Sequence, residues 1–376
     1  MEDAKPLILN EEKPTISPLR EAVRLFRRNR LAVVGLVVIL SFILLALTAS
    51  LWTQVGLIDE KSGYKSVHTV NAQGLPYVDP FADPGTCARD GLTSTAEWCE
   101  LISPEDRARY PDRCAGAEQP PPDRQWCFVL GSGQNGQDWL TQAVYGSQVS
   151  MAVAFVGSSV SLVIGLLYGL IAGYYGGWID NLMMRFIDFL YGLPGLVIII
   201  LMSVFFRAIQ REYQEKEGIV GFLLDLNASM GGLLFLFIAL GLLSWIGMAR
   251  LTRGQILAYR EFEFVDAARA IGAGDRRIIF VHLLPNIIGP LLVAETLAIP
   301  GYIFAEAFLS FIGLGVATGT PSWGAMISLP RDIGGFNSNQ YIWIVPGVAL
   351  ATLTLAFNFF GDGLRDAFDP RLRGTR

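Results

Sequence analysis

No charged residue stands between Arg30 and Asp59, and none between Asp138 and Asp180. A water-soluble helix of such length needs a polar face, and these stretches have none, so their surroundings must be apolar. At 1.5 Å per residue, about 20 residues cross the hydrocarbon of a bilayer. Six stretches are long enough: Leu31 to Leu51, Val149 to Tyr175, about Asn181 to Phe206, Gly231 to Ala249, Ile287 to Ile312 and Tyr341 to Phe360. A composition of 52 % apolar and 17 % charged residues, with mean hydropathy +0.42, agrees. The expected fold class is an all-α integral membrane protein with six transmembrane helices. The first run starts too far from the N-terminus and is too long for a cleaved signal peptide, so it reads as a retained helix.

The arginines set the orientation. Arg27, Arg28 and Arg30 precede the first run, and the other Arg-rich pieces, at 250–277 and 365–376, fall on the same side once six spans are counted. The positive-inside rule then puts both termini in the cytosol. The net charge of −5 is uneven: Trp52 to Asp138 holds 7 Lys and Arg against 13 Asp and Glu, while the rest holds 22 against 21. All four cysteines, Cys87, Cys99, Cys114 and Cys127, lie in that acidic segment. Two disulfides in an oxidising compartment is one reading and a four-thiolate zinc site the other; no pair has the C-x2-C spacing usual for structural zinc. The segment is thus expected to be a loop-rich, disulfide-bonded, extracytoplasmic insert between helices 1 and 2. Its GSGQNG at 131–136 matches a dinucleotide fingerprint in form, but follows no parallel strand and reads as a turn. The organisation is a cytoplasmic tail and amphipathic helix at 1–30, the first span at 31–51, the insert at 52–138, a five-helix core at 139–362 and a cytoplasmic tail at 363–376.

Details within the spans carry further expectations. Leu19 to Arg30 alternates cationic and apolar residues at helical spacing, as a solvated helix or one lying on an anionic leaflet would. Gly165, Gly169, Gly173 and Gly177 recur every four residues on one face and predict a helix-packing seam. Gly176-Gly177 reads as a tight turn. Arg185 and Asp188, at i and i+3, are expected to pair. Arg207 to Asn227 reads as a mixed-charge outer loop, and Pro321-Ser-Trp-Gly324 as a turn or re-entrant helix with an interfacial Trp. Glu295 and Glu306 stand inside the fifth span, where an ionisable group is costly and faces the bundle or a wet cavity. Both are candidate pathway residues, with Glu306 expected near the outer end.

The island Glu261 to Asn286, EFEFVDAARAIGAGDRRIIFVHLLPN, separates two spans. It reads as a helix over Phe262 to Ile271, a turn with positive φ at Gly272 and Gly274, an N-cap at Asp275, and a second helix from Arg276 to Leu284 interrupted at Pro285. A helix-turn-helix for DNA would also fit that outline, but the flanking spans pin this loop to a membrane surface, so no nucleic-acid partner is expected. The chain has no P-loop, and His68 and His282 are its only histidines, which leaves no metal site or charge-relay nucleophile. Glu295 and Glu306 are eleven residues apart, roughly 16 Å along a helix, too far for a direct dyad. No catalytic site, metal or cofactor is expected in this chain.

Asp266-Ala-Ala268, Gly272 and Leu284-Pro285 follow the spacing of the EAA loop of ABC-importer permeases. The longer stretch Phe264 to Ala273 and His282-Leu-Leu-Pro-Asn286 resembles the form found in dipeptide, oligopeptide and nickel importers, in particular their second, C-type, permease subunit. Arg28 to Gly35, Gly173 to Gly177, Glu306 to Gly315, Pro321 to Ala325 and Gly361 to Pro370 resemble further blocks of that family. Asp266 stands where the motif has Glu, His282 where the general motif has Ile, and GSGQNG replaces the usual LGTD-x-x-G. The resemblance implies a permease in the bacterial cytoplasmic (inner) membrane, coupled through Phe264, Asp266, Ala267, Ala268, Gly272, Leu284 and Pro285. Its implied partners are a homologous permease subunit as heterodimer, two ABC ATPase subunits that bind ATP and Mg, an extracytoplasmic solute-binding protein and membrane lipid. The alternative is a proton-coupled secondary transporter with Glu295 as carrier.

Overall fold

The computed structural model describes residues 18–54, 130, 139–212, 218–230, 232–316, 320–332 and 341–368, and the described residues form helices and their connections. The four cysteines and the GSGQNG turn lie outside them. In chain order the helices are α1 (Pro18–Arg28), α2 (Arg30–Gln54), α3 (Trp139–Tyr175), α4 (Gly177–Tyr191), α5 (Gly195–Glu212), α6 (Gly218–Ser229), α7 (Leu233–Tyr259), α8 (Glu263–Ala270), α9 (Asp275–Arg277), α10 (Leu284–Phe311), α11 (Trp323–Asp332) and α12 (Tyr341–Phe368). A π-helical turn, Ile278–Leu283, joins α9 to α10. Five segments are long and apolar enough to cross a membrane: α2, α3, α7, the run from α9 through α10, and α12.

The expected third span, Asn181 to Phe206, is not one straight helix. The chain bends by 77° between α4 and α5, at Gly192-Leu193-Pro194. Proline cannot donate its missing N–H and disfavours helical geometry in the residue before it, so the break follows from Pro194. Four further expectations change. Arg207 to Asn227 is largely helical: α5 extends to Glu212, and GIVGFLLDLNAS, with one charge, forms α6. The fourth span continues past Ala249 to Tyr259. The last span continues past Phe360 to Phe368, so part of the expected C-terminal tail is helical. Asp188 pairs with Arg250 of α7 at 2.6 Å and not with Arg185.

The core is built around α3 and α7. A Cβ added to Gly169 would lie 2.5 Å from the Ala249 carbonyl and from Thr252 Cβ; at Gly165 it would lie 2.6 Å from Met248, and at Gly173 2.9 Å from Ile256. The missing side chains let the two backbones approach closely. Gly177 takes no part in this seam: α3 ends at Tyr175, and Gly176 and Gly177 turn the chain with φ of 66° and 56°. Beside this pair α10 packs against α3 and α12, and α2 against α12. Trp323 is fully buried, not interfacial; its Nε1 donates to the Ala143 carbonyl at 2.9 Å and its ring meets Phe42 edge-on.

Candidate functional site

The loop between α7 and α10 is folded into a platform. Phe262, extended at φ −81° and ψ 144°, starts α8. Val265 and Ala268 face inward and join Leu170, Met248, Ile256, Ile278, Leu283 and Ile287 in one apolar cluster. α8 stops in a Schellman turn: Gly272 N–H bonds the Arg269 carbonyl at 2.9 Å, Ala273 N–H bonds the Ala268 carbonyl at 3.0 Å, and Gly272 has φ 82°. The expected helix, turn and positive φ at Gly272 are therefore present. Gly274 differs, with φ −72°.

The second half of the platform departs from the expected helix. Gly274, not Asp275, occupies the N-cap, with no side-chain cap bond. Three residues of α9 lead into the π-helical turn, whose widening is closed by Leu284 N–H to the Ile279 carbonyl. Pro285 does not interrupt the pattern; it sits in the first turn of α10, where a missing N–H costs least. The platform is thus joined directly to a long helix, because the turn passes into α10 without a loop.

Polar contacts tie the platform to its neighbours. Tyr174, at the end of α3, donates its hydroxyl to Asp275 Oδ1 at 2.7 Å, and Arg260 donates to the Gly173 carbonyl at 3.1 Å. Just above, Arg253 holds Asp180 with two bonds of 2.5 and 2.6 Å, and the Arg250 guanidinium lies 4.4 Å from the Tyr191 ring centroid. Among these residues, Tyr174, Asp180, Arg253 and Arg260 escape sequence reasoning, since their partners lie on other helices. Asp180 alone carried a signal, as the first charge after the long uncharged run.

Outward, the platform is apolar where solvent would favour polar groups. Phe262, Phe264, Phe280 and Val281 are exposed, and Ile271 is 84 % exposed. Asp266 and Ala267 share this open side; among the described residues Asp266 is met only by Arg269, at 3.4 Å. Leu284 is half-buried and Pro285 exposed. Apolar groups held rigidly in the open mark a contact surface.

The two intramembrane acids lie elsewhere. Glu295 is buried where α3, α7 and α10 meet, accepting from Tyr302 at 2.8 Å and meeting Ser161 Oγ at 3.1 Å. Ser161 also faces the Ser244 carbonyl at 3.2 Å. Glu306 lies near the end of α10, as expected, but is fully buried in the protein: Ser310 donates to its Oε1 at 2.7 Å, and its Oε2 has no hydrogen-bond partner among the described residues. Its neighbourhood is closed by Gly324, where a Cβ would lie 2.4 Å from Ala307 Cα. The two carboxyls are held in separate clusters. Among the described residues no group of three His, Cys, Asp or Glu could hold a metal.

Residues 165–374, which include the whole platform, match the description "binding-protein-dependent transport system inner membrane component", and residues 17–62 match the N-terminal transmembrane domain of oligopeptide transport permease C. The chain is similar to the dipeptide transport system permease protein DppC of Bacillus subtilis, 32 % identical over 378 residues, spanning 97 % of this chain and 92 % of that one. It is also similar to the oligopeptide transport system permease protein OppC of Haemophilus influenzae, 35 % identical over 252 residues, covering 67 % and 73 %. A solved structure of the MetNI methionine ABC transporter in inward-facing conformations aligns at TM-score 0.44 and 21 % identity, over 61 % of this chain and 97 % of that one, a likeness too loose to carry a structural argument.

Proposed function

This chain belongs to the binding-protein-dependent transport system inner membrane component family, among the C-type permease subunits of ABC peptide importers, and from that premise we propose that it pairs with a homologous permease subunit to form a membrane path for peptides. α4 and α5 together serve as one broken span, giving six. The platform and both termini face the cytosol of the bacterial inner membrane. The acidic insert faces outward, with Cys87, Cys99, Cys114 and Cys127 as two disulfides. Two ATPase subunits bind ATP and Mg, and an extracytoplasmic solute-binding protein delivers the cargo; this chain contributes no catalytic group.

The observation that carries this reading is the platform itself, which serves as the EAA loop. α8 buries Val265 and Ala268 and presents Phe264 and Ile271, so an ATPase groove can grip a rigid apolar ridge. Because the platform is bonded to the ends of α3 and α7 and runs into α10, closing of the ATPase dimer on ATP moves those spans together. Alternating access follows as a two-state rearrangement.

The Schellman turn supplies the test. Nothing lies within 4 Å of a Cβ at Gly272, so substitution there is resisted by backbone conformation alone. A β-branched L-residue at φ 82° costs roughly 1–2 kcal/mol, whereas Asn tolerates left-handed geometry. In proteoliposomes holding the whole complex, G272V should lower uptake per ATP hydrolysed, and G272N should restore most of it. Wild-type coupling in G272V would remove the platform from the mechanism.

A further inference from the structure

Helix α1 presents a second surface, at the same end of the bundle as the platform but built differently. Between residues 24 and 30 the sequence RLFRRNR holds four arginines and no acid. Arg24, Arg27 and Arg28 stand at i, i+3 and i+4, so they share one helix face, and Arg30 begins α2 directly afterwards. All four are exposed, and none is paired with a carboxylate among the residues whose side chains are described.

The helix that carries them is docked. Ala22 is buried, the Phe26 ring meets Phe360 of α12 edge-on at 5.5 Å, and Asn29 donates to Asp366 at 3.2 Å while its Oδ1 accepts from Ala32 N–H at 3.2 Å. A Cβ on Gly363 would lie 2.1 Å from Ala32 Cβ and 3.1 Å from Phe26, so α12 meets the α1–α2 corner closely. The arginine face is therefore held in place at the point where two spans, α2 and α12, leave the hydrocarbon. Leu31 and Val34, the next outward residues of α2, are exposed and apolar. Acids nearby are Glu21, three residues before Arg24 in the sequence, and on α12 Asp366, engaged by Asn29, and Asp362, both exposed.

We propose that the corner formed by α1, the start of α2 and the end of α12 binds anionic glycerophospholipid, the phosphates meeting Arg24, Arg27, Arg28 and Arg30 and the acyl chains lying along Leu31 and Val34. A cationic row immediately next to an apolar stripe matches a charged headgroup attached to a hydrocarbon tail. Arginine suits this role because its planar fork bonds two phosphate oxygens at once. A soluble acidic partner would satisfy the arginines and leave the adjoining apolar stripe without a counterpart. The assignment concerns lipid, and stands or falls separately from the platform's partner.

The test uses the full chain in detergent, with phosphatidylglycerol and phosphatidylcholine titrated by native mass spectrometry. Wild type should retain phosphatidylglycerol over phosphatidylcholine by roughly three-fold or more, and 0.5 M salt should erase that preference, since charge attraction is screened. R24Q/R27Q/R28Q should lose it, R24K/R27K/R28K should keep most of it, and R276Q/R277Q, altered on the platform, should leave it unchanged. Preference surviving in the Gln triple variant would overturn the proposal. If that variant does not accumulate, the wild-type salt series decides: a salt-insensitive preference overturns it. Lost ATPase association with lipid preference intact in the Gln variant would assign the surface to a protein partner and would also overturn it.

Discussion

At Glu295 a carboxyl in the middle of a span has every neighbour it needs without an ionic partner. Ser161 has one hydroxyl hydrogen but faces both the Ser244 carbonyl and Glu295 Oε2. Glutamine satisfies that geometry throughout: its oxygen accepts from Tyr302, its amide donates to Ser161, and Ser161 turns its hydrogen to Ser244. We expect E295Q to accumulate and transport within about two-fold of wild type, whereas E295A, leaving buried hydroxyls unpaired, loses about 1–3 kcal/mol of stability. Uptake assays extend the test: a proton carrier at Glu295 requires wild-type uptake to stop when the proton gradient is collapsed and E295Q to be dead with the gradient intact, whereas ATP-driven uptake survives the collapse and stops when ATP is depleted. A second test at this scale is Gly169. G169V pushes methyl groups into the Ala249 carbonyl and Thr252, and should cost about 1–3 kcal/mol or more in thermal unfolding of the purified chain. G247A, on a helix position where a Cβ meets nothing, should be neutral or stabilising by up to about 1 kcal/mol.

Among the elements, α4, the first half of the bent pair, is tied to α7, the helix that leads into the platform. It hangs on α7 by Asp180–Arg253 and Asp188–Arg250, while α5 beyond the bend is held by Arg207 donating to the Gly315 carbonyl at 2.7 Å and by Phe206 stacked on Phe235. A shift of α7 would thus carry α4 and flex Gly192 to Pro194. The two pairs should differ in worth. Side-chain exposure is 33 % and 11 % for Arg253 and Asp180, against 40 % and 66 % for Arg250 and Asp188. A double-mutant cycle on unfolding should give about 1–2 kcal/mol of coupling for the first, bidentate, pair and under about 0.5 kcal/mol for the second. Equal values would contradict the clamp. The elements also show what could be read in advance. The spans and the Gly272 turn depend on local pattern: apolar run length, glycine spacing, a helix followed by a left-handed residue. The α4–α5 bend was written in Pro194, yet a run of apolar residues concealed it. The partners of Asp180, Asp188 and Tyr174 were not legible, because each lies 62 residues or more away in the chain. The π-helical turn was equally hidden, since Pro285 reads as a stop in a local pattern but is placed by the packing of Ile278, Leu283 and Ile287.

For the molecule as a whole, the arrangement separates three tasks. Close-packed α3, α7 and α10 form a stiff frame around the glycine seam. α2 and α12 form a second layer against that frame, bearing the arginine corner at one end and many exposed leucines and valines along its length. The platform closes the same end and joins the frame through both its entry and its exit. α3, at 37 residues, is about 55 Å long, well beyond the roughly 30 Å of hydrocarbon, and its last turn brings Tyr174 to the platform. A push on α8 therefore reaches spans through packed helices and not through flexible loops. This makes the outward face of α8 the place where the account is most exposed to test. A photo-crosslinking residue should be placed at Phe264 in the intact complex, with Leu201, an exposed position on α5, as control. An adduct with an ATPase subunit is expected from position 264, altered in yield when ATP is trapped, and none from position 201. Adducts from position 264 with lipid alone, or with no partner in either nucleotide state, would contradict it.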